Sequence, residues 1–227
     1  MPGTLFLGLG YELVPFSGAK EDIGMEALVA AHAHMKYDLF MLAASEREWN
    51  VPFAVPYPLH EPELIVRSVP EGNLAFVLFP EKDMSEADEE RLFHFAEELR
   101  QSGRYNLIIG VSSWGDEREQ DFLGRRGEVF DMVFGSGEGP GYSGLYLRDN
   151  QVLWVRPFTK GKVVLAVTMP KLPKPGEKVV WEPDVSVMVH SYPLTGDHAA
   201  DPGMEKLSSG TITPVPLVTA QYEMIHS

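Results

Sequence analysis

Cysteine is absent from the 227-residue chain. Its absence excludes disulfide bonds, thiolate metal ligands and thiol nucleophiles. Basic residues are scarce as well: 19 Lys and Arg stand against 33 Asp and Glu, which gives a formal net charge of −14. A surface with this charge repels phosphate backbones and anionic lipids, so neither nucleic acid nor a membrane surface is expected as a partner.

Long apolar runs are also missing. No run reaches the roughly 18 residues that a membrane-spanning helix needs. The opening segment, MPGTLFLGLGYEL, has no basic n-region and no long apolar core, so it is not expected to be a signal peptide. We therefore expect a cytoplasmic protein, with a periplasmic location as the alternative if a leader has been removed.

What the chain does contain is enough apolar material for a packed core, at 44% hydrophobic residues. Helix-like and fully apolar strand-like segments dominate up to about residue 135, and hairpin-like strands follow. We expect one domain over residues 1–192 and an irregular tail packed on it over 193–227, where Pro, Gly, Ser and Thr are frequent.

Hydrophobic periodicity and turn residues predict the main elements. The helices are expected at 21–36 and, with Ser85 as the N-cap and Gly103 at the end, at 85–103. The strands are expected at 4–10, 37–44, a hairpin over 63–80, 105–113, a hairpin near 144–158, 161–169 and 177–190.

The most unusual segment is DMVFGSGEGPG, residues 131–141, where a strand pattern leads into closely spaced glycines. It contains a literal G-x-G-x-x-G at Gly139, Gly141 and Gly144. A dinucleotide-binding turn must open a helix, whereas here Pro140 interrupts the motif and a strand pattern follows. A Rossmann site is therefore not predicted.

Other catalytic motifs are weak. His32 and His34 lie two residues apart in a helix pattern and so point to different faces, which favours ordinary surface or core histidines. His60 and His198 have nearby carboxylates but no repeated metal-ligand spacing. The segment GVSSW, 110–114, lacks the second glycine of a nucleophile elbow.

Two acidic runs, 81–90 and 115–121, are predicted to be solvated surface. The second run has an alternative interpretation, because it follows a buried strand at the edge where α/β proteins place ligands.

Several segments, taken in order, carry a family resemblance. YNLIIGVSSWGDEREQDFLGRRGEVFDMVFGSGEGPG and then LWVRPFTKGKVVLAVTM, with MKYDLFMLAASERE upstream, resemble the metallophosphatase domain of the 5′-nucleotidase/UDP-sugar hydrolase family, within the calcineurin-like phosphoesterase superfamily. The resemblance is strongest over residues 105–170. It implies an α/β (α+β) fold, a layered αββα metallophosphatase-like sandwich with central mixed sheets.

The same resemblance implies a site of two metal ions, held by Asp, Asn and His, that activate a hydroxide. The family's Asn-His pair corresponds to Ala44 and Ser45, its turn histidine to Ser113, and its final His-x-His to residues 137–139. The opening Asp and His positions fall in GLGYEL, which contains neither residue. Serine and glycine cannot replace imidazole as ligands, so no metal cofactor is expected, with a divalent ion at a rebuilt site as the alternative.

Polar residues and glycines still accompany the strand ends where the family places its site. We interpret them as a vestigial or remodelled pocket with no assignable catalytic residue. The set consists of Tyr11, Glu12, Ser45, Glu46, Ser112, Ser113, Asp116, Gly137, Glu138 and Gly139.

Three functional hypotheses remain open from the sequence. The favoured one is a catalytically silent member that binds a small molecule or a protein partner, or has a structural role. The second is a phosphoester hydrolase with a remodelled metal site. The third is a subunit of an oligomer that uses the former cleft edge as its interface.

Overall fold

The protein is described by a computed structural model, whose described residues are 3–11, 31–32, 34–43, 46, 61–80, 85–158, 163–195, 199, 201–203 and 206. At its centre is a six-stranded mixed sheet in the order β3-β4-β5-β6-β8-β7. Its strands are β3 Glu63–Val69, β4 Gly72–Leu78, β5 Leu107–Ser112, β6 Met132–Gly135, β7 Tyr142–Leu147 and β8 Val152–Arg156. The four central strands are parallel, and β3 and β7 pair antiparallel at the two edges.

Two helices cover one face of this sheet: α1 Glu86–Gln101 and α2 Asp116–Arg126, the latter followed by a 3-10 turn, Gly127–Val129. The helix predicted at 85–103 is confirmed as α1, and its apolar face is buried at Leu92, Ala96 and Leu99. Together with Phe79, Trp114, Phe122 and Phe130, this face forms the core between the helices and the sheet.

Two small sheets supply the core on the opposite face. β1 Leu7–Gly8 pairs parallel with β2 Leu39–Phe40, and β9 Val163–Thr168 pairs antiparallel with β10 Met188–Pro193. Leu39, Met41 and Trp181 pack there against the apolar side chains of the central strands. The described residues thus form a mixed α/β fold in which helices, a central mixed sheet and further strands lie in layers, as predicted.

Most of the predicted elements from 63 to 156 are confirmed. The first hairpin turns at Pro70 and Glu71, between Val69 and Gly72. β5 is buried along its whole length, as its uninterrupted apolar sequence predicts. The second hairpin turns at 148–151, where Arg148, Asp149 and Asn150 all have positive φ.

The strand predicted over 177–190 is wrong for most of its length, because β10 begins only at Met188. A turn occupies the preceding residues: Asp184 has φ +61, and Ser186 N donates to the Glu182 carbonyl at 2.9 Å. The Pro183-Asp184 pair gives turn geometry priority over the alternating apolar pattern. Of the predicted helix 21–36, the four residues 31, 32, 34 and 35 are described and helical, whereas 21–30 and most of the tail after 195 lie outside the described residues.

None of the helices in the described ranges has the length and apolarity needed to cross a membrane.

Candidate functional site at the carboxyl ends of the strands

The glycine loop, residues 135–141, follows β6 at the edge where the parallel strands end. It is hydrogen-bonded to the turn between β5 and α2. Ser136 N donates to the Ser112 carbonyl at 2.9 Å, Gly115 N to the Ser136 carbonyl at 3.1 Å, and Asp116 N to the Glu138 carbonyl at 2.8 Å. The two strand-end turns therefore form one connected unit.

Tyr11 reaches this unit from the end of β1. Its backbone is in the left-handed region, at φ +73, and its N–H donates to Glu46 Oε2 at 2.9 Å. The same oxygen accepts the Ala43 N–H at 2.7 Å, so the fully buried Glu46 fixes both strand ends. Burial, followed by the charges of Glu46, Glu138 and Glu119, raises the pKa of the Tyr11 phenol. The phenol therefore stays protonated near neutral pH and can donate a hydrogen bond.

The structure brings most of the predicted pocket residues together. Glu12 and Ser45 lie outside the described residues. The residues that converge are Tyr11, Glu46, Ser112, Ser113, Asp116, Gly137, Glu138 and Gly139. Their role in binding or catalysis stays a prediction.

Two glycines decide whether the loop could carry metal-binding side chains. Gly137 has φ +89, and a Cβ there would lie 2.9 Å from Tyr11 Cε2 and 3.0 Å from the Ser113 carbonyl oxygen. Gly139 has φ +112, and a Cβ there would overlap the Cβ of Asp116. Side chains are strained at such φ values and have no space here.

At the described positions of this site, the residues present therefore do not supply the imidazole ligands of the two-ion centre that the family resemblance implies. The positions of the final imidazoles are glycines packed against Tyr11 and Asp116, and hydroxyls and backbone carbonyls are poorer ligands than imidazole for zinc and iron. Within the described ranges, no three His, Asp or Glu side chains are placed to hold a metal ion together.

The residue that organises the glycine loop is Arg156, which the sequence interpretation did not single out. It ends β8, and its side chain is 2% exposed. Nε donates to the Pro140 carbonyl at 3.1 Å, Nη1 to Ser136 at 3.2 Å, and Nη2 to Gly137 at 3.1 Å and to Glu138 at 2.9 Å. One guanidinium thus binds four of the five carbonyls from 136 to 140.

Glu119 of α2 is the counter-ion of Arg156. Its Oε2 accepts hydrogen bonds from Arg156 Nη1 and, at 3.0 Å, from Trp154 Nε1. A Cβ at position 135 would overlap this carboxylate, so the first glycine of the loop makes room for it. Burial raises the pKa of Glu119 to about 7 against the opposing effect of Arg156. Glu119 Oε1 has no partner at hydrogen-bonding distance in the described part of the chain. The nearby Ser112 hydroxyl nevertheless lowers the pKa of Glu119.

The prediction that both acidic runs are solvated surface is wrong at two positions. Glu119 is fully buried, and Glu89 of α1 is 7% exposed, with Arg118 at 3.2 Å and Arg125 at 2.8 Å. A signal was present for Glu119, which precedes the buried Phe122 and Leu123 by three and four residues and so shares their helix face. The equivalent signal for Arg156 is a cation that directly follows four apolar strand residues.

His32 and His34 both contact other side chains of the protein. His32 is buried and its ring lies 5.7 Å from that of Tyr37 and 5.1 Å from that of Phe40. His34 is exposed and pairs with Asp201 at 3.2 Å. His60 and His198 lie outside the described residues.

Comparison with solved structures identifies the class of fold. SoxB from Thermus thermophilus, described as a sulfate thiohydrolase in complex with glycerol, matches with a TM-score of 0.65 at 15% identity. The match covers 91% of this chain and 42% of that one, so the chain spans less than half the length of SoxB. The likeness shows the fold alone, and the central mixed six-stranded sheet is consistent with an α+β metallophosphatase-like fold.

A hypothetical protein from Thermus thermophilus also matches, with a TM-score of 0.40, 13% identity, and coverage of 83% of this chain and 98% of that one. This likeness is too low to carry an argument. No family model and no curated protein matches the chain.

Proposed function

We propose that this chain is a divergent 5′-nucleotidase-like metallophosphatase domain without a dinuclear metal centre. In this proposal it does not hydrolyse phosphoesters, and it uses the edge around Tyr11, Ser113 and the glycine loop to bind a small molecule or a protein, or to support a larger structure.

The observation that carries the proposal is the packing at Gly137 and Gly139. A side chain at either position would meet Tyr11, Ser113 or Asp116, and both backbones have positive φ. The sequence has no imidazole at these two positions, and the packing around them leaves no space for one. The fold likeness to SoxB supports the ancestry and carries no activity over to this chain.

The contacts of Arg156 are a second observation that supports the proposal. Its guanidinium satisfies the loop carbonyls from inside the protein, so the loop has its positive charge without a bound ion. A loop fixed in this way presents a formed surface to a partner.

The rival is a hydrolase with a remodelled metal site. Asp116 is the residue most suited to such a site, since it begins α2 at the strand edge and its buried Oδ1 has no hydrogen-bond partner among the described residues. Asp121, on the exposed side of the same helix and paired with Arg125 at 2.6 Å, offers a matched control.

The test combines metal analysis with activity measurements. Protein purified without chelators is analysed for Mn, Zn, Fe and Mg, and then assayed with p-nitrophenyl phosphate, bis-p-nitrophenyl phosphate and nucleotides, with and without added ions. We expect clearly substoichiometric metal and no turnover above the uncatalysed rate. Stoichiometric metal with hydrolysis that Asp116→Asn abolishes and Asp121→Asn leaves intact would establish the rival instead.

A further inference from the structure

The Arg156 guanidinium is buried within a shell of protein oxygen atoms. Four backbone carbonyls, those of Ser136, Gly137, Glu138 and Pro140, and one carboxylate oxygen of Glu119 surround it. The side chains of Arg156 and Glu119 are 2% and 0% exposed. Each of the three guanidinium nitrogens has at least one oxygen partner, which is the arrangement that recognises a planar, forked cation.

The four carbonyls around the guanidinium come from one short loop, so their dipoles point toward the same place. Carbonyl dipoles that converge on one point repel each other unless a cation lies between them. Removal of the guanidinium would leave converging carbonyls and the Glu119 carboxylate in a buried space with no positive charge. The conformation of the loop therefore depends on a cation at its centre.

We propose that the glycine loop and Glu119 form a specific guanidinium-binding site, which the chain's own Arg156 occupies as an internal ligand and which sets the conformation of the strand-end edge. The site takes the guanidinium group as its ligand class. When emptied by truncation of Arg156, it can accept the free guanidinium ion. This inference shares the Arg156 contacts with the proposed function, but it concerns the occupant of the loop and not the chemistry at its surface. A failed rescue would leave the proposed lack of catalysis supported by the packing at Gly137 and Gly139.

The experiment is chemical rescue. Arg156→Ala removes the guanidinium and most of its stem, and we expect it to lower the Tm by about 10 °C. Low millimolar guanidinium chloride should then raise the Tm of this variant by about 3 °C once the ion exceeds its dissociation constant roughly tenfold. Sodium chloride and urea at equal concentrations should give no such increase, and guanidinium should not raise the Tm of the wild type.

Arg125→Ala is the matched control. Arg125 lies between two carboxylates, Glu89 at 2.8 Å and Asp121 at 2.6 Å, but its side chain is 41% exposed. Guanidinium should not restore this variant, because its site is open to water and lacks the carbonyl cage. Equal rescue of both variants, or none of a folded Arg156→Ala variant, would overturn the proposal.

Arg156→Lys covers the case in which the alanine variant does not fold. Lysine keeps the charge but is a point donor that cannot reach four carbonyls in the geometry of the guanidinium fork. We expect hydrogen exchange to speed up at least tenfold at the amides of Gly115, Asp116 and Ser136, whose hydrogen bonds connect the glycine loop to the β5–α2 turn, and to stay near the wild-type rate in α1. If exchange at these amides is unchanged in Arg156→Lys, the loop does not depend on the guanidinium and the proposal is wrong.

Discussion

The two ends of the parallel strands each bury an arginine–carboxylate pair, and the pairs differ in what they hold. At the amino end, Arg100 of α1 pairs with Asp131 at 2.8 Å, and the second oxygen of Asp131 accepts the Ile108 N–H at 2.7 Å. At the carboxyl end, Arg156 and Glu119 hold the glycine loop. Both carboxyls have pKa values raised by burial against the effect of their arginines.

Solvent contact separates the two pairs. The Arg100 side chain is 18% exposed, whereas that of Arg156 is 2% exposed and each of its three guanidinium nitrogens contacts a protein oxygen. The amino-end pair therefore joins α1 to the start of β6 through a buried carboxylate and a partly exposed arginine, and the carboxyl-end pair is a closed centre around which a loop is built. The same two charged groups therefore join elements at one end and organise backbone at the other, depending on how many carbonyls surround the cation.

The largest expected effect comes from removing each carboxylate in turn. Glu119→Ala should lower the free energy of unfolding by about 3 to 5 kcal/mol, because it leaves the Arg156 charge buried without an anion. Asp131→Ala should lower it by about 2 kcal/mol, mainly through the unpaired Ile108 N–H, since Arg100 can still be hydrated. Urea unfolding at pH 8 measures both values. A greater loss from Asp131→Ala would contradict the distinction between the two ends.

The stability of the protein is expected to depend on pH through the carboxyl-end pair. Because the folded-state pKa of Glu119, about 7, lies above the ordinary value of 4.5, its protonated form favours folding. That stabilisation is full below pH 4.5 and is lost as the pH rises through 7, a change of at most about 3 kcal/mol.

Glu119→Gln should therefore flatten the decrease in unfolding free energy between pH 4.5 and 8, measured by urea titrations at several pH values. The exposed Asp121, whose pKa is lowered by its hydrogen bond to Arg125, provides the control, and Asp121→Asn should leave that decrease in place. An unchanged slope in Glu119→Gln would mean that Glu119 does not titrate in this range.

The smallest expected effect concerns the glycines of the loop. Gly139→Ala should cost about 2 kcal/mol, because its Cβ would overlap Asp116 and its φ is +112. Gly124→Ala in α2 is the matched control: nothing lies within 4 Å of its Cβ, so the substitution should stabilise by up to about 1 kcal/mol. Thermal unfolding measures the change in stability of each variant, and similar changes in both would contradict the steric explanation.

Local pattern predicted the central sheet and α1 better than it predicted the site, whereas α2 was not predicted from its own sequence. β5, α1 and the first hairpin depend on apolar periodicity and turn residues within one segment, so the sequence contains what is needed. The meeting of Tyr11 with Gly137 followed from the family resemblance, which aligns strand ends that are distant in sequence.

The pair at the centre of the site could not be predicted in the same way. Glu119 and Arg156 lie 37 residues apart, on a helix and a strand, and neither belongs to a recognised motif. Their burial depends on the parallel register of β6 and β8, which places Arg156 beside the loop that follows β6. Composition alone favours solvated glutamate in an acidic run, and only the helix face shared with Phe122 opposes that interpretation.

The close packing of Gly137 and Gly139 also limits the order in which mutations can be accepted during evolution. A side chain at 139 is tolerable only after Asp116 has become smaller or moved, and one at 137 only after Tyr11 has left its position over the loop. A single substitution at either glycine would lower stability before any benefit arose. Substitutions are therefore expected to be accepted more readily around the strand-end edge than at these two glycines.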